Sequence, residues 1–237
     1  EEIPEKIISI STNKIPEDSL MLVNSSEEFE SMLQELQSSD HFSFDTETTG
    51  LNTLEDEIIG ISFSNSEKKA WYLVIKHDEI NVNFNKDNFE KIKNLFEDFK
   101  ISKSAHNANF DMMVLKNFGI EVENLNFDTV IAAGLCGRKS LGLKNLSSEI
   151  LNISMTKIQD LIGTGKTQKT LNQININEVY KYAASDSLIT FKLRNFFIEE
   201  LKKFNQEDLF YNVEIPLIKE IITMQYNGFL LDIDKLN

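Results

Sequence analysis

Between His41 and Gly50 the chain reads HFSFDTETTG, a short apolar run that ends in two acids, Asp45 and Glu47, just ahead of a glycine turn. Side chains alternate across a strand, so the two carboxylates share one face, with Cα atoms about 6.6 Å apart. Two negative charges side by side at the end of a buried strand are costly unless a cation sits between them or water reaches both. The pair therefore marks either a metal site or a solvated strand end. Taken alone, a D-x-E reads as an exposed acidic turn, and other acids must join it before it means more.

The pattern around this strand sets the fold class. Residues 1–18 are polar, carry Pro4 and Pro16 and show no sustained period, which reads as a leader or linker. SLMLV, 19–23, reads as a strand, and Ser25 with Glu28 forms an S-x-x-E capping box that opens an amphipathic helix with Phe29, Leu33 and Leu36 on one face. Strand candidates follow at 42–46, 57–64 and 70–75, and their short connections favour antiparallel pairing. A helix is expected near 87–99, a strand at 101–105, a helix at 108–118 stopping at Gly119, and a strand or turn at 125–128. The remainder reads as helical at 128–136, 141–151, 177–204 and 207–227. Antiparallel strands followed by alternating helices and strands predict an α/β sandwich around a mixed sheet.

With 237 residues, 41% of them hydrophobic, the chain can build one sizeable core with an appended piece. Apolar runs such as AWYLVI at 70–75 are far too short to span a membrane, and the single Cys136 excludes an internal disulfide framework, which fits a reducing setting. Twenty-four basic against 38 acidic residues leave a net charge of −14, which argues against a nonspecific nucleic-acid coat. It does not argue against a nucleic-acid enzyme, because a metal-dependent site needs clustered acids.

Two further acids stand in suggestive places. HNANFDMMVL, 106–115, carries Asp111 in the first turns of a helix whose Phe110, Val114 and Leu115 can face the core; an acid there also suits the helix dipole. In YAASDSLITFKL, 182–193, Tyr182 and Asp186 are four apart and share a helix face. GTGKT at 163–167 is not a P-loop, because Asp160 occupies the position of the first glycine and no buried strand leads into it.

D-x-E on a strand end, N-x-x-F-D opening a helix and Y-x-x-x-D on a later helix, in that order, resemble the three motifs of the 3′–5′ exonuclease superfamily. The words FDTETTGL, SAHNANFD, FDTVIAAGL, LGLKNLSSEIL, LIGTGKTQKT and YAASDSLITFKL narrow this to a resemblance with the proofreading domain of bacterial-type family A DNA polymerases, running from about residue 20 to the C-terminus. The resemblance implies an RNase H-like α/β fold with a mixed five-stranded sheet flanked by helices. It implies two divalent ions, Mg2+ or Mn2+, held by Asp45, Glu47, Asp111 and Asp186, with Tyr182 orienting the attacking water. Leu51, Asn107 and Phe110 would hold the terminal nucleotides of a single-stranded or frayed DNA 3′ end.

On this reading residues 19–205 form the exonuclease domain, and VEIPLIKEIITMQYNGFLLDIDKL, 213–236, resembles the opening of a polymerase domain, so that 206–237 begin one and the partner is the polymerase domain of the same parent chain. No membrane is expected, and the location would be the cytoplasm and nucleoid if the source is bacterial, with an organelle as the alternative. An RNase D-type RNA exonuclease with the same catalytic set, or a noncatalytic scaffold of a polymerase, are the alternatives. Two residues depart from the pattern: Asn109 stands where many relatives carry Lys, and Phe110 where some carry Tyr. Lys181, five residues before Asp186, disfavours the histidine variant of the superfamily.

Overall fold

In the computed structural model, which describes residues 13–232 and Lys235, the strands and α-helices run in the expected order, with one short helix, Ile158–Ile162, that the sequence reading does not include. They are β1 (Leu20–Val23), α1 (Ser26–Gln37), β2 (His41–Thr48), β3 (Ile58–Ser66), β4 (Lys69–Val74), α2 (Lys86–Glu97), β5 (Ser102–Ala105) and α3 (Ala108–Asn117). β6 (Leu125–Asp128), α4 (Thr129–Leu135), α5 (Leu143–Leu146), α6 (Ile158–Ile162), α7 (Ile176–Lys203), α8 (Glu207–Leu209) and α9 (Ile215–Asn227) complete it. Local chemistry places several ends. Ser25 accepts from the Glu28 N–H while Glu28 reaches back to the Ser25 N–H, as the capping box requires. Gly119, at φ +94°, lets the Ile120 N–H return to Leu115 and close α3.

The strands form one mixed sheet in the order β1-β4-β3-β2-β5-β6. β2, β3 and β4 pair antiparallel, as their short connections required, whereas β1 joins β4, and β5 joins both β2 and β6, in parallel. The sheet thus has six strands and not five. The sixth is the 125–128 segment, whose four residues are too few for a periodicity to separate strand from turn but pair with Lys103, Ser104 and Ala105. The helix expected over 141–151 is α5 followed by a π-turn at Ser147–Leu151, and the one over 207–227 is broken by a second π-turn at Phe210–Glu214. Of the stretch read as a leader, 1–12 lie outside the described residues; Asn13 exchanges backbone bonds with Asn152 and Ser154. Ile233, Asp234, Leu236 and Asn237 also lie outside them.

The two faces of the sheet are built differently. On one, Phe42, Phe44 and Phe63 meet Phe96 of α2 with ring centroids 5.0–5.7 Å from it, and Phe29, Met32, Leu33 and Leu36 of α1 close the layer. The Phe42 and Phe44 rings meet Phe96 edge-on and Phe63 at a tilt, and aromatic pairs of this kind add roughly 0.5–1.5 kcal/mol each beyond burial alone. On the other face lies α7, whose fully buried Ala183 and Ala184 let its axis approach the strands closely. Ser43 of β2 donates to the Ser187 carbonyl at 2.7 Å and fixes the height of α7 along the sheet. Asp45 and Glu47 alternate with the phenylalanines and so face α7.

One glycine carries this layer. The Tyr72 ring of β4 lies over Gly60 of β3, where a Cβ would meet the ring carbon and hydroxyl oxygen at 2.3 Å. Gly60 is also the register partner of Glu47. Gly60→Ala should therefore lower stability by about 1–3 kcal/mol through overpacking, seen as a melting temperature several degrees below the parent; an unchanged melting temperature would show that the ring yields freely.

Candidate active site

β2 outruns β5. Pairing between them ends at Ser43–Ser104, and after Ala105 the chain turns through Asn107, held at φ 70°, into α3. The Thr46 N–H is left without a strand partner on that side, and Asp111 of α3 takes it: Asp111 Oδ1 accepts from the Thr46 N–H at 2.8 Å and from the Thr46 hydroxyl at 2.6 Å. The turn that delivers Asp111 is itself clamped by Asp128. Its carboxylate accepts from the N–H groups of Asn107 (3.3 Å) and Ala108 (2.7 Å) at the start of α3, and of Val130 (2.7 Å) and Ile131 (3.4 Å) at the start of α4. One buried acid thus caps two helices, a favourable charge at two dipole ends.

At the end of β2 the register against β3 slips between Glu47 and Thr48, a bulge-like irregularity beside the acids. There, carboxylate oxygens of Asp45, Glu47 and Asp186 come within 4.8 Å of one another. Asp111 stands outside this trio but close enough that, after burial, its charge is the largest influence raising Asp45. Tyr182, one turn before Asp186 on α7, lines the same cleft of about 500 Å3, as do Leu51, Asn107 and Phe110. Leu51 is 89% exposed on the rim, Asn107 is exposed, and Phe110 is half-buried against the core. All eight residues singled out in the sequence therefore border one depression. Asn109 is engaged elsewhere, its amide donating to Gln225 of α9 at 3.1 Å.

Sequence reasoning missed Thr46, Asp128 and Lys144. All three sit inside quoted motif words, but the roles of Thr46 and Asp128 depend on where neighbouring elements stop. Lys144 of α5 bonds Asp186 Oδ1 and stands 4.5 Å above the Tyr182 ring, and no spacing links positions 144, 182 and 186.

Electrostatics follows from packing like charges out of water. Burial raises Asp45, Glu47 and Asp186, with neighbouring acids adding to Asp45 and Glu47 and Lys144 opposing the rise in all three. Burial lifts Asp111 to about 7 against the Thr46 hydrogen bonds that pull it down. The Tyr182 phenol is raised by burial first and then by the charges of Asp186, Glu47 and Asp45. His106, bonded to the Thr129 hydroxyl at 2.7 Å, is lowered to about 4 by burial and then by Lys144, so its imidazole is neutral at pH 7.

The donor set fits a hard divalent cation. Three carboxylates converge, and Glu47 Oε1 is buried with no hydrogen-bond partner among the described residues, an atom that a cation would satisfy. In a chelator the same acids weaken the fold. Carboxyls whose folded pKa is raised contribute stability below the unfolded value near ~4 and lose it as pH climbs through the folded value. For Asp111 that loss begins near ~4 and is complete above about 7. Asp45→Asn, which removes one of the repelling charges, should therefore be more stable than the parent in EDTA, with a gap in melting temperature that is small below about pH 4 and widens as pH rises from there through neutrality. A gap that narrows as pH rises would contradict the assigned direction of the shifts.

A family model for 3′–5′ exonucleases matches residues 20–202. DNA polymerase I of Chloroflexus aurantiacus is 33% identical over 204 residues, and that of Borreliella burgdorferi 34% over 209, covering 85% and 86% of this chain. The chain spans only 22% of the length of either relative. Among solved structures, Escherichia coli RNase D superposes with a TM-score of 0.65 at 18% identity, covering 85% of this chain and 50% of that one, a likeness of fold. The mixed sheet crossed by α7, the acids gathered at its open end and the match over 20–202 agree with one another, and the chain belongs to the 3′–5′ exonuclease family found in DNA polymerase I.

Proposed function

We propose that this domain hydrolyses phosphodiester bonds at DNA 3′ ends, as the proofreading exonuclease of a family A DNA polymerase, with two divalent metal ions, Mg2+ or Mn2+. The convergence of Asp45, Glu47 and Asp186 around an unsatisfied Glu47 oxygen carries this reading. Asp45, Glu47, Asp111 and Asp186 would hold the ions; oxygen-only ligands suit these metals. Such ions, when bound, supply a water nucleophile at neutral pH and stabilise the oxygen that departs. A noncatalytic scaffold has no need to gather these acids at such electrostatic cost.

The protein's own groups divide the remaining work. Tyr182 stays protonated at neutral pH, so its hydroxyl orients water by hydrogen bonding and does not serve as the base. Leu51, apolar and protruding at the rim, wedges against the terminal base; Phe110 offers a ring to stack on, and Asn107 an amide. Stacking of this kind tolerates any sequence but requires unstacked bases. With a net charge of −14 the domain gains little from counterion release along a duplex, so selection rests on the 3′ end.

We assign residues 19–205 to this domain and 206–237 to the opening of a polymerase domain in the same parent chain, with the bacterial cytoplasm as the place of work. Among the described residues no helix is long and apolar enough to cross a membrane.

Initial rates on single-stranded, mismatched and matched 3′ ends test the reading. Single strands should be cut fastest and matched ends slowest, with a shallow salt dependence, because paired ends must first melt. Asp45→Ala and Asp186→Ala should abolish Mg2+-dependent cleavage, and Tyr182→Phe should reduce it by roughly a hundredfold or less. Equal rates on all three ends would contradict end-melting, faster cleavage of RNA would favour an RNase D-type activity, and cleavage surviving in Asp45→Ala would remove this acid from the chemistry.

A further inference from the structure

Among the described residues one basic side chain is bonded to any of the four acids: Lys144, to Asp186. It belongs to a one-turn helix pinned from beneath by Leu143, 8% exposed, and the fully buried Leu146. Its own side chain is only 24% exposed, unlike a lysine that trails into solvent. The ammonium bonds Asp186 Oδ1 and lies 4.5 Å from the centre of the Tyr182 ring, so one cation touches both α7 residues of the site. Cation–π attraction strengthens where water is excluded, and both partners here are largely buried.

The charge reaches further than its contacts. Lys144 opposes the rise of Asp45, Glu47 and Asp186 and helps keep His106 neutral, which places its field across the whole cleft. Four carboxylates against two dications are neutral; Lys144 leaves the loaded site with one positive charge, which a phosphodiester then balances. The same proximity makes it a rival of the ion, since a dication approaching Asp186 meets a like charge already bonded there.

We propose that Lys144 is a positioning residue: an internal counter-cation that holds Asp186 and Tyr182 in place before metal arrives and competes with the divalent ion for Asp186. The proposal rests on the metal-site reading above. It gives Lys144 two effects of opposite sign. It weakens metal binding, and it speeds cleavage by keeping the Tyr182 phenol aligned through the cation–π contact after the ion has taken Asp186.

Calorimetric titration of Mn2+ into the parent, Lys144→Met and Lys144→Arg, with melting temperatures in EDTA and steady-state cleavage of a single-stranded oligonucleotide, separates these effects. Lys144→Met should bind Mn2+ roughly tenfold or more tightly, as loss of a like charge near the ion requires. It should melt lower than the parent in EDTA and show a reduced kcat with little change in KM. Lys144→Arg should restore the melting temperature and the weaker binding. A side chain that only supports the fold would lower metal affinity and kcat together in Lys144→Met, and that outcome, or unchanged Mn2+ affinity, would overturn the proposal. If Lys144→Met does not fold, Lys144→Gln takes its place with the same expectations. A parent that binds no Mn2+ would instead overturn the metal-site reading itself.

Discussion

Holding Asp45, Glu47, Asp111 and Asp186 together out of water is the constraint on which this architecture turns. Each carboxylate loses hydration and gains a like-charged neighbour, and all four are raised above their ordinary values. The surrounding structure offsets this in specific ways. Thr46 spends its hydroxyl and its unpaired N–H on Asp111, and Lys144 neutralises part of Asp186. Asp128 fixes the turn that carries Asp111 by capping α3 and α4 at once. The opposite sheet face, with Phe42, Phe44, Phe63 and Phe96 packed ring against ring, carries no such burden and supplies stability. A single sheet thus separates the element that stabilises from the element that is strained by charge.

That division was partly legible in the sequence. The alternation of Phe42 and Phe44 with Asp45 and Glu47 assigns the two faces of β2 directly, and the four-residue spacing of Tyr182 and Asp186 places both on one side of α7. Capping chemistry at Ser25 and the glycine stop at Gly119 fixed helix ends because those signals act within a few residues. What escaped were contacts set by the third dimension. β6 was ambiguous because four residues carry too little period, and its strand character comes from β5. The parallel addition of β1 to β4 leaves no local trace. Thr46 matters because β5 ends at Ala105, and Lys144 because α5 ends beneath α7; neither fact is written near the residue concerned.

The fold by itself does not choose the substrate. The likeness to RNase D is a likeness of sheet and helices, and the cleft of about 500 Å3 could receive either nucleic acid. The DNA reading comes from relatives that are DNA polymerases and from motif words that resemble that family's. Its physical counterpart is a site with hard oxygen ligands, a protruding Leu51 and a net charge of −14, the features on which the proposed preference for a frayed end rests.

The central claim is that the acid cluster at the end of β2 is built around divalent cations. Anomalous diffraction at the manganese edge, from crystals of the unmutated protein soaked in Mn2+, examines it directly. The account predicts strong anomalous density enclosed by Asp45, Glu47 and Asp186, ligation of Glu47 Oε1, and the Lys144 ammonium moved off Asp186. No density within the cluster, with Lys144 still bonded to Asp186 at saturating Mn2+, would contradict it.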